Sequence, residues 1–457
     1  MWHGSRRELL QATVLSAAAT GLSGIGVVAQ DDESTQPATK VLNPRGRVPL
    51  SFVIDDSTCL VNMGHFCTPQ FGAAFPNREE YKRPWKTWPR EIPDSFVREF
   101  GEWCAEHGVK GKYSIVPNPA CVGYLDSELP GWSHRELQDS LKLVRDLMVP
   151  NWDIHPEMIT HTRVIDIKTG RPIPEIGPAT IENSFPQKKK SVDELAAYIA
   201  YALQILKNCD LPCEGITTPG GFGNIMKPEL SLAVQQAVRD IYAPEIPHYF
   251  KYVHSGDKST EPILQNVTGR GTRNVSLTVN VPAGTGDWFG GWQGVNKSEG
   301  HKYCNEDATA GRMVELIQKG QPAVMLCHWP GMYCNGMKQG FEDFKRVVLA
   351  LRRRFHDQTT WMKMSEIARY WAAKGLTEIR ADETGVVLDA PFASPFFTVQ
   401  TPARSEAAPR IQRPNGQSTA TQRVDRRSDL VAGTYLREQD NVVVCFNLER
   451  GQSRITT

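Results

Sequence analysis

Short apolar runs alternate with helix-like periods from Arg47 to about Gly375. The runs Leu50–Ile54, Lys112–Val116, Glu214–Thr217, Ser276–Val281 and Ala323–Cys327 are predicted strands. A helix is predicted from Asp94, where Phe96, Val97, Phe100, Trp103 and Cys104 supply its apolar residues and Asp94 is placed to cap it. Ser133-x-x-Glu136 and Ser191-x-x-Glu194 are capping boxes ahead of further apolar periods. Strands alternating with helices over this length predict an α/β fold, either a barrel or a doubly wound sheet.

The pattern changes after Gly375. Val386–Leu388, Phe396–Gln400 and Asn441–Asn447 read as strands. Between them, residues 401–429 are rich in Pro, Ser, Gln and Arg, with Ile411 and Val424 as the large apolar residues. That stretch is expected to be a mobile loop, and 376–457 as a whole a small β extension.

The other end carries a different signal. Ser5-Arg6-Arg7-Glu8-Leu9-Leu10 precedes a weakly apolar stretch from Ala12 to Ala29, and Val27-Val28-Ala29 offers small residues before Gln30. A charged region, an apolar region and a processing site predict an export signal over residues 1–29. The arginine pair makes it twin-arginine-like, so the mature chain is expected to be periplasmic or secreted and exported folded. Residues 30–46, polar and containing two prolines, read as a linker to a main domain over 47–375. No other segment approaches the roughly 20 apolar residues of a membrane span.

Composition narrows this further. The 457 residues suffice for a large core and more than one domain. A net charge of +1 gives no reason to expect a nucleic-acid partner. The ten cysteines lack the paired CxxC spacing of a structural zinc site. Cys209 and Cys213 read as two small buried thiols.

Candidate chemistry begins where the first predicted strand ends. Asp55 and Asp56 stand side by side there. Neighbouring strand residues point to opposite faces, so adjacent carboxylates share one site only where the chain turns. In α/β barrels that is the catalytic end. Four further stretches follow: "PEMITHTRVID" (Pro156 to Asp166), "GITTPGGFG" (Gly215 to Gly223), "GTGDW" (Gly284 to Trp288) and "AVMLCHWP" (Ala323 to Pro330).

In order and spacing these resemble the motifs of the polysaccharide deacetylase family, the NodB-homology or carbohydrate esterase family 4 type. Val53-Ile54-Asp55-Asp56-Ser57 is similar to its Thr-Phe-Asp-Asp-Gly. His161-Thr162 is similar to the start of His-Ser/Thr-x-x-His, with Ile165 where the second His would stand. Thr217-Thr218-Pro219-Gly220-Gly221 keeps the Pro and Gly of Arg-x-Pro-x-Gly and lacks the Arg. Asp287-Trp288 and Leu326-Cys327-His328 are similar to the last two motifs, and "WMKMSEIARYW" (Trp361 to Trp371) to the closing strand and helix. The resemblance spans about Val48 to Ala373 and implies a distorted (β/α) barrel of the glycoside hydrolase/deacetylase type.

It also implies roles. Asp56 and His161 would hold a divalent metal, zinc or else cobalt or nickel, which polarises an acetyl carbonyl and acidifies water. Asp55 would be the general base and His328 the general acid. Trp288 and Trp329 would wall the pocket and stack on sugar, beside Pro219 and Gly220. Ile165 cannot bind metal, so His155, His65 or Asp166 would complete the ligands. The implied substrate is an acetylated saccharide or cell-envelope polysaccharide. The residues leave three readings open: a metal-dependent deacetylase, a carbohydrate-binding protein that has lost catalysis, or another hydrolase of C–N or glycosidic bonds on the same barrel.

Overall fold

A computed structural model describes residues 39–57, 59–272, 274–294 and 297–457. The expected export signal, residues 1–29, lies outside them.

The main domain is organised by parallel strands buried on both faces. They are β1 (Val48–Asp55), β2 (Gly111–Ile115), β3 (Trp152–Pro156), β4 (Gly215–Thr217), β5 (His248–Phe250), β6 (Ser276–Asn280) and β7 (Ala323–His328). Every residue of β1 is buried, as expected for a parallel strand covered on both sides. The strands form two sheets, in the orders β7-β1-β2-β3 and β4-β5-β6. Thr359–Trp361 adds beside β1, and Ile263–Thr268 runs antiparallel to β6.

The two sheets meet at single bridges: Glu157, just past β3, with Thr217 of β4, and Asp287 with Leu326 of β7. The fold is therefore α/β with parallel strands. One continuously hydrogen-bonded barrel, expected from the resemblance, is not what the ladders form.

Strand alternation sorts the side chains. On β1, Leu50, Phe52 and Ile54 pack with the helices, while Val53 belongs to a second cluster with Val324 and Leu326 of β7 and Val279 of β6. Ser51 and Asp55 share the face of Val53. On β2 and β3 the corresponding positions are Lys112, Ser114, Asp153 and His155, all placed in register with one another. A row of polar side chains thus lines the inner face of half the fold.

Helix starts follow local chemistry. Both capping boxes form, at Ser133 with Glu136 and at Ser191 with Glu194. Asp94 differs: Pro93 holds the cap position of helix Asp94–Glu106. The Asp94 carboxylate instead accepts from Ser140 Oγ at 2.7 Å, tying that helix to its neighbour. All ten cysteines are free thiols, and Cys209 and Cys213 are both buried. Among the described residues no helix is long and apolar enough to cross a membrane.

The C-terminal region is larger and more regular than expected. Two five-stranded sheets, one built on Ser394–Pro402 and Asn441–Leu448, the other on Gly385–Ala390 and Gly451–Thr456, enclose Val386, Leu388, Ile455, Phe397, Val444 and Phe446 in one cluster. Residues 401–429 are not a structureless loop. They supply Arg410–Gln412, Ser418–Ala420 and Gln422–Arg423 to the sheet edges. Lys40–Val41, within the expected linker, pairs with Ser394–Pro402. Tyr370 of helix Met364–Leu376 secures this layer, donating to the Leu42 carbonyl and accepting from Thr398 N–H.

Trp329 belongs to the core. It is fully buried against Phe96, Phe100 and Tyr113, because the chain turns into helix Trp329–Tyr333 immediately after β7 and carries the ring under the sheet. Trp329→Ala should therefore lower stability by about 3–5 kcal/mol, as truncation of a buried aromatic does, measured by denaturant unfolding. A pocket-wall tryptophan would leave stability nearly unchanged.

Candidate active site and metal centre

The C-terminal ends of the strands surround a cavity of about 300 Å³. Its floor holds Asp55, Asp56, Glu157, His161 and His328, and Phe71, Tyr81, Phe250 and Trp292 form walls. Asp55 ends β1 and His328 ends β7, and the two are paired in register across the ladder. Asp56 has φ +53, in the left-handed region that Asp tolerates better than most residues. That turn brings the second carboxylate to the cavity already occupied by the first. Its backbone N–H donates to Glu157 Oε2 at 2.9 Å.

His161 Nε2 lies 2.6 Å from Asp56 Oδ1 and 3.4 Å from Glu157 Oε1. These three side chains offer one ligand atom each toward a common point. Glu157 follows the last residue of β3, and His161 is four residues later, also at positive φ. The loop between them is held by buried Glu182. Its carboxylate accepts from the backbone N–H groups of Ile159, Thr160 and His161 and from Tyr198 Oη. Burial pushes the Glu182 carboxyl up to about 7 against those donors.

Asp55 has its own cation. Fully buried Lys112 of β2 donates to Asp55 Oδ1, and Ser114 Oγ donates to the same oxygen at 2.8 Å. Burial raises the Asp55 carboxyl above its usual range, with Lys112 opposing the rise. For Asp56 burial acts in the same direction, but the His161 and His328 imidazoles outweigh it and its pKa lies below the usual value. His328 Nδ1 is 2.6 Å from Asp287 Oδ2. Burial disfavours its charge, yet Asp56 and Asp287 raise it to about 9.

No protein-family profile and no curated protein matches this chain. Among solved structures it is matched to two mutants of BA3943, a CE4 family pseudoenzyme, one of them with restored enzymatic activity. Each match has 10% identity and covers 72% of this chain and 70% of the other, with TM-scores of 0.31 and 0.30. Superpositions this loose leave the family unassigned.

The sequence expectations and the geometry agree on placement for Asp55, Asp56, His161 and His328, which meet in one cavity. Gly220 and Thr218 line it; Pro219 is buried and is not among the lining residues. Trp288 packs edge-on against Tyr303 at 4.9 Å and is not among the cavity-lining residues, where Trp292 is.

The third ligand is corrected. Ile165 is core, its N–H bonded to Tyr198 Oη. His65 bonds the Trp88 carbonyl, and Asp166 is exposed and caps Lys168. His155 meets His248 instead, and burial holds both imidazoles below their usual pKa. Glu157 is the side chain that lies beside Asp56 and His161, and its spacing to His161 equals the four-residue separation of the second motif. The signal was an acidic residue directly after a strand. Lys112 was equally legible as a lone charge opening a predicted strand.

The donor set suits a divalent metal: two carboxylates and one imidazole, with an open cavity on the remaining side. Asp56 Oδ1 is buried and accepts no well-directed hydrogen bond despite its closeness to His161, as expected of an oxygen facing a cation position. Without an ion, burial opposes the His161 charge, but Asp56 and Glu157 hold its pKa well above the usual value. A metal must displace that proton. Zinc affinity should therefore rise with pH through the neutral range, about tenfold per pH unit for one proton displaced, with proton release visible by calorimetry in buffers of different ionisation enthalpy. Glu157→Gln should weaken zinc binding roughly 100-fold or more, beyond the usual loss for an outer-sphere partner, whereas Ile165→Ala should leave it within a few-fold; competition with a chromophoric chelator reads both.

Proposed function

We propose that this chain is an exported, metal-dependent hydrolase that removes acetyl groups from a saccharide. The observation that carries the reading is the pairing of Asp55 and His328 in register beside the Asp56–Glu157–His161 ligand set, with a separate cation fixing one Asp55 oxygen and a separate anion fixing His328. A divalent ion on that set would supply Lewis acidity toward an acyl carbonyl and favour ionisation of water.

The chain's own residues divide the proton work. Lys112 and Ser114 occupy Asp55 Oδ1, which leaves Oδ2 as the acceptor for the proton of the attacking water. Asp287 holds His328 by Nδ1, so Nε2 carries its proton toward the cavity, where it passes to the departing amine or alkoxide oxygen. The raised His328 pKa keeps that proton in place at neutral pH. Tyr81 and Trp292 offer aromatic faces on which a sugar ring stacks. Export rests on the first 29 residues of the sequence alone.

Asp55→Asn keeps size and leaves the metal ligands intact. Acetate release from a panel of acetylated glycans, measured with zinc- or cobalt-loaded protein, should fall by roughly 100- to 10,000-fold, the range for a lost general base. Glycan binding should persist. Wild-type protein that binds the glycans but releases no acetate from any of them would overturn the hydrolase reading in favour of a carbohydrate-binding protein.

A further inference from the structure

A second group of metal-type side chains lies deeper between the sheets. His155 of β3 and His248 of β5 are fully buried and the Asp153 side chain of β3 is 10% exposed, with one ligand atom from each within 4.8 Å of the others. The His155 and His248 Nε2 atoms are 2.9 Å apart, and Asp153 Oδ2 is 4.0 Å from His248 Nε2. Around tetrahedral zinc, ligand atoms at ~2.0–2.1 Å sit about 3.3 Å from one another, so small rotations of the Asp153 carboxylate and the two rings bring all three to one ion.

The surroundings are built for that meeting. Gly215 of β4 is in register with His248, and a Cβ there would lie 2.5 Å from the His248 carbonyl oxygen, 2.7 Å from His155 Nε2 and 2.9 Å from His248 Cδ2. The missing side chain leaves the space in which the two rings converge. Asp153 is oriented by the first turn of helix Met364–Leu376, accepting from Ser365 N–H at 2.6 Å and Ser365 Oγ at 2.7 Å. Each oxygen keeps a lone pair after those bonds, and a carboxylate fixed in this way is the usual support of a metal ligand. Lys363, 3.8 Å from Asp153 Oδ1, lies on the outer side.

A cleft of about 390 Å³ opens at the N-terminal ends of the strands, opposite the acidic cavity, and is lined by Glu214, Lys363 and Ser365. Two of these touch Asp153, and the third precedes Gly215.

We propose that Asp153, His155 and His248 form a second divalent-cation site, of zinc, cobalt or nickel type, that ties β3 to β5 through the gap left by Gly215. Two imidazoles and one carboxylate favour these ions over magnesium or calcium. With no room for substrate, this ion is structural, and its existence does not depend on the proposed hydrolase activity.

The full chain, stripped with chelator and reloaded with zinc, should retain two ions per molecule after desalting, counted by elemental analysis. Asp56→Asn should lose the cavity ion and keep the inner one, and zinc should still raise its melting temperature. His248→Gln and Asp153→Asn should lose the inner ion alone, and Asp153→Asn, which keeps size, tests the site should His248→Gln not fold. A folded Asp56→Asn chain that retains no zinc overturns the proposal. So does a second ion, besides the one lost in Asp56→Asn, that survives both His248→Gln and Asp153→Asn, which is surface binding. One ion that resists Asp56→Asn and is lost in Asp153→Asn supports this site while removing the metal from the cavity.

Discussion

Three carboxylates share one cavity at the ends of buried strands, and each must find positive charge without water. Asp55, Asp56 and Glu157 are 4%, 1% and 3% exposed. Burying a charge costs several kcal/mol unless a partner is held in good geometry. Much of the inner structure follows from that constraint. Lys112 is carried into the interior to meet Asp55. His161 stands between Asp56 and Glu157. His328 adds a third cation, itself balanced by Asp287. The polar row on the inner face of β1, β2 and β3 is the framework for these pairs, and it explains why half of this interior is not apolar.

The backbone bears part of the cost. Asp56, Met158 and His161 all have positive φ, a conformation that ordinary residues adopt only when their surroundings impose it. Glu182 supplies the restraint for the second and third. One buried carboxylate gathers three consecutive N–H groups and a tyrosine hydroxyl, turning a short irregular loop into a fixed mount for His161. Such restraint far from solvent is how a site keeps its geometry before any ligand arrives.

Relative to the motifs the sequence resembles, the charged groups around the cavity are redistributed. Glu157 stands beside Asp56 and His161 where the resemblance implies a histidine, adding a negative charge to the group. A lysine from β2 stands where an arginine near Thr217 would serve, and Thr217 itself lies on the inner face next to His155. The lysine keeps the positive charge of the arginine it replaces, whereas the glutamate brings a negative charge in place of an imidazole.

By itself the sequence determined the alternation of buried strands and amphipathic helices, the two capping boxes, and the positions of Asp55, Asp56 and His328 at the ends of strands. These depend on neighbours a few residues away, on side-chain alternation and on bonds between positions i and i+3. Tertiary structure decided the rest. Glu157 reaches Asp56 across 101 residues, His155 meets His248 across 93, and Lys112 finds Asp55 across 57. The same holds for Trp329, a pocket wall by position yet a core residue by packing, and for residues 401–429, too polar to bury a face alone but strand-forming along the edges of sheets already made. No local pattern records which strand lies beside which, and a buried charge is satisfied only by the strand that packs against it.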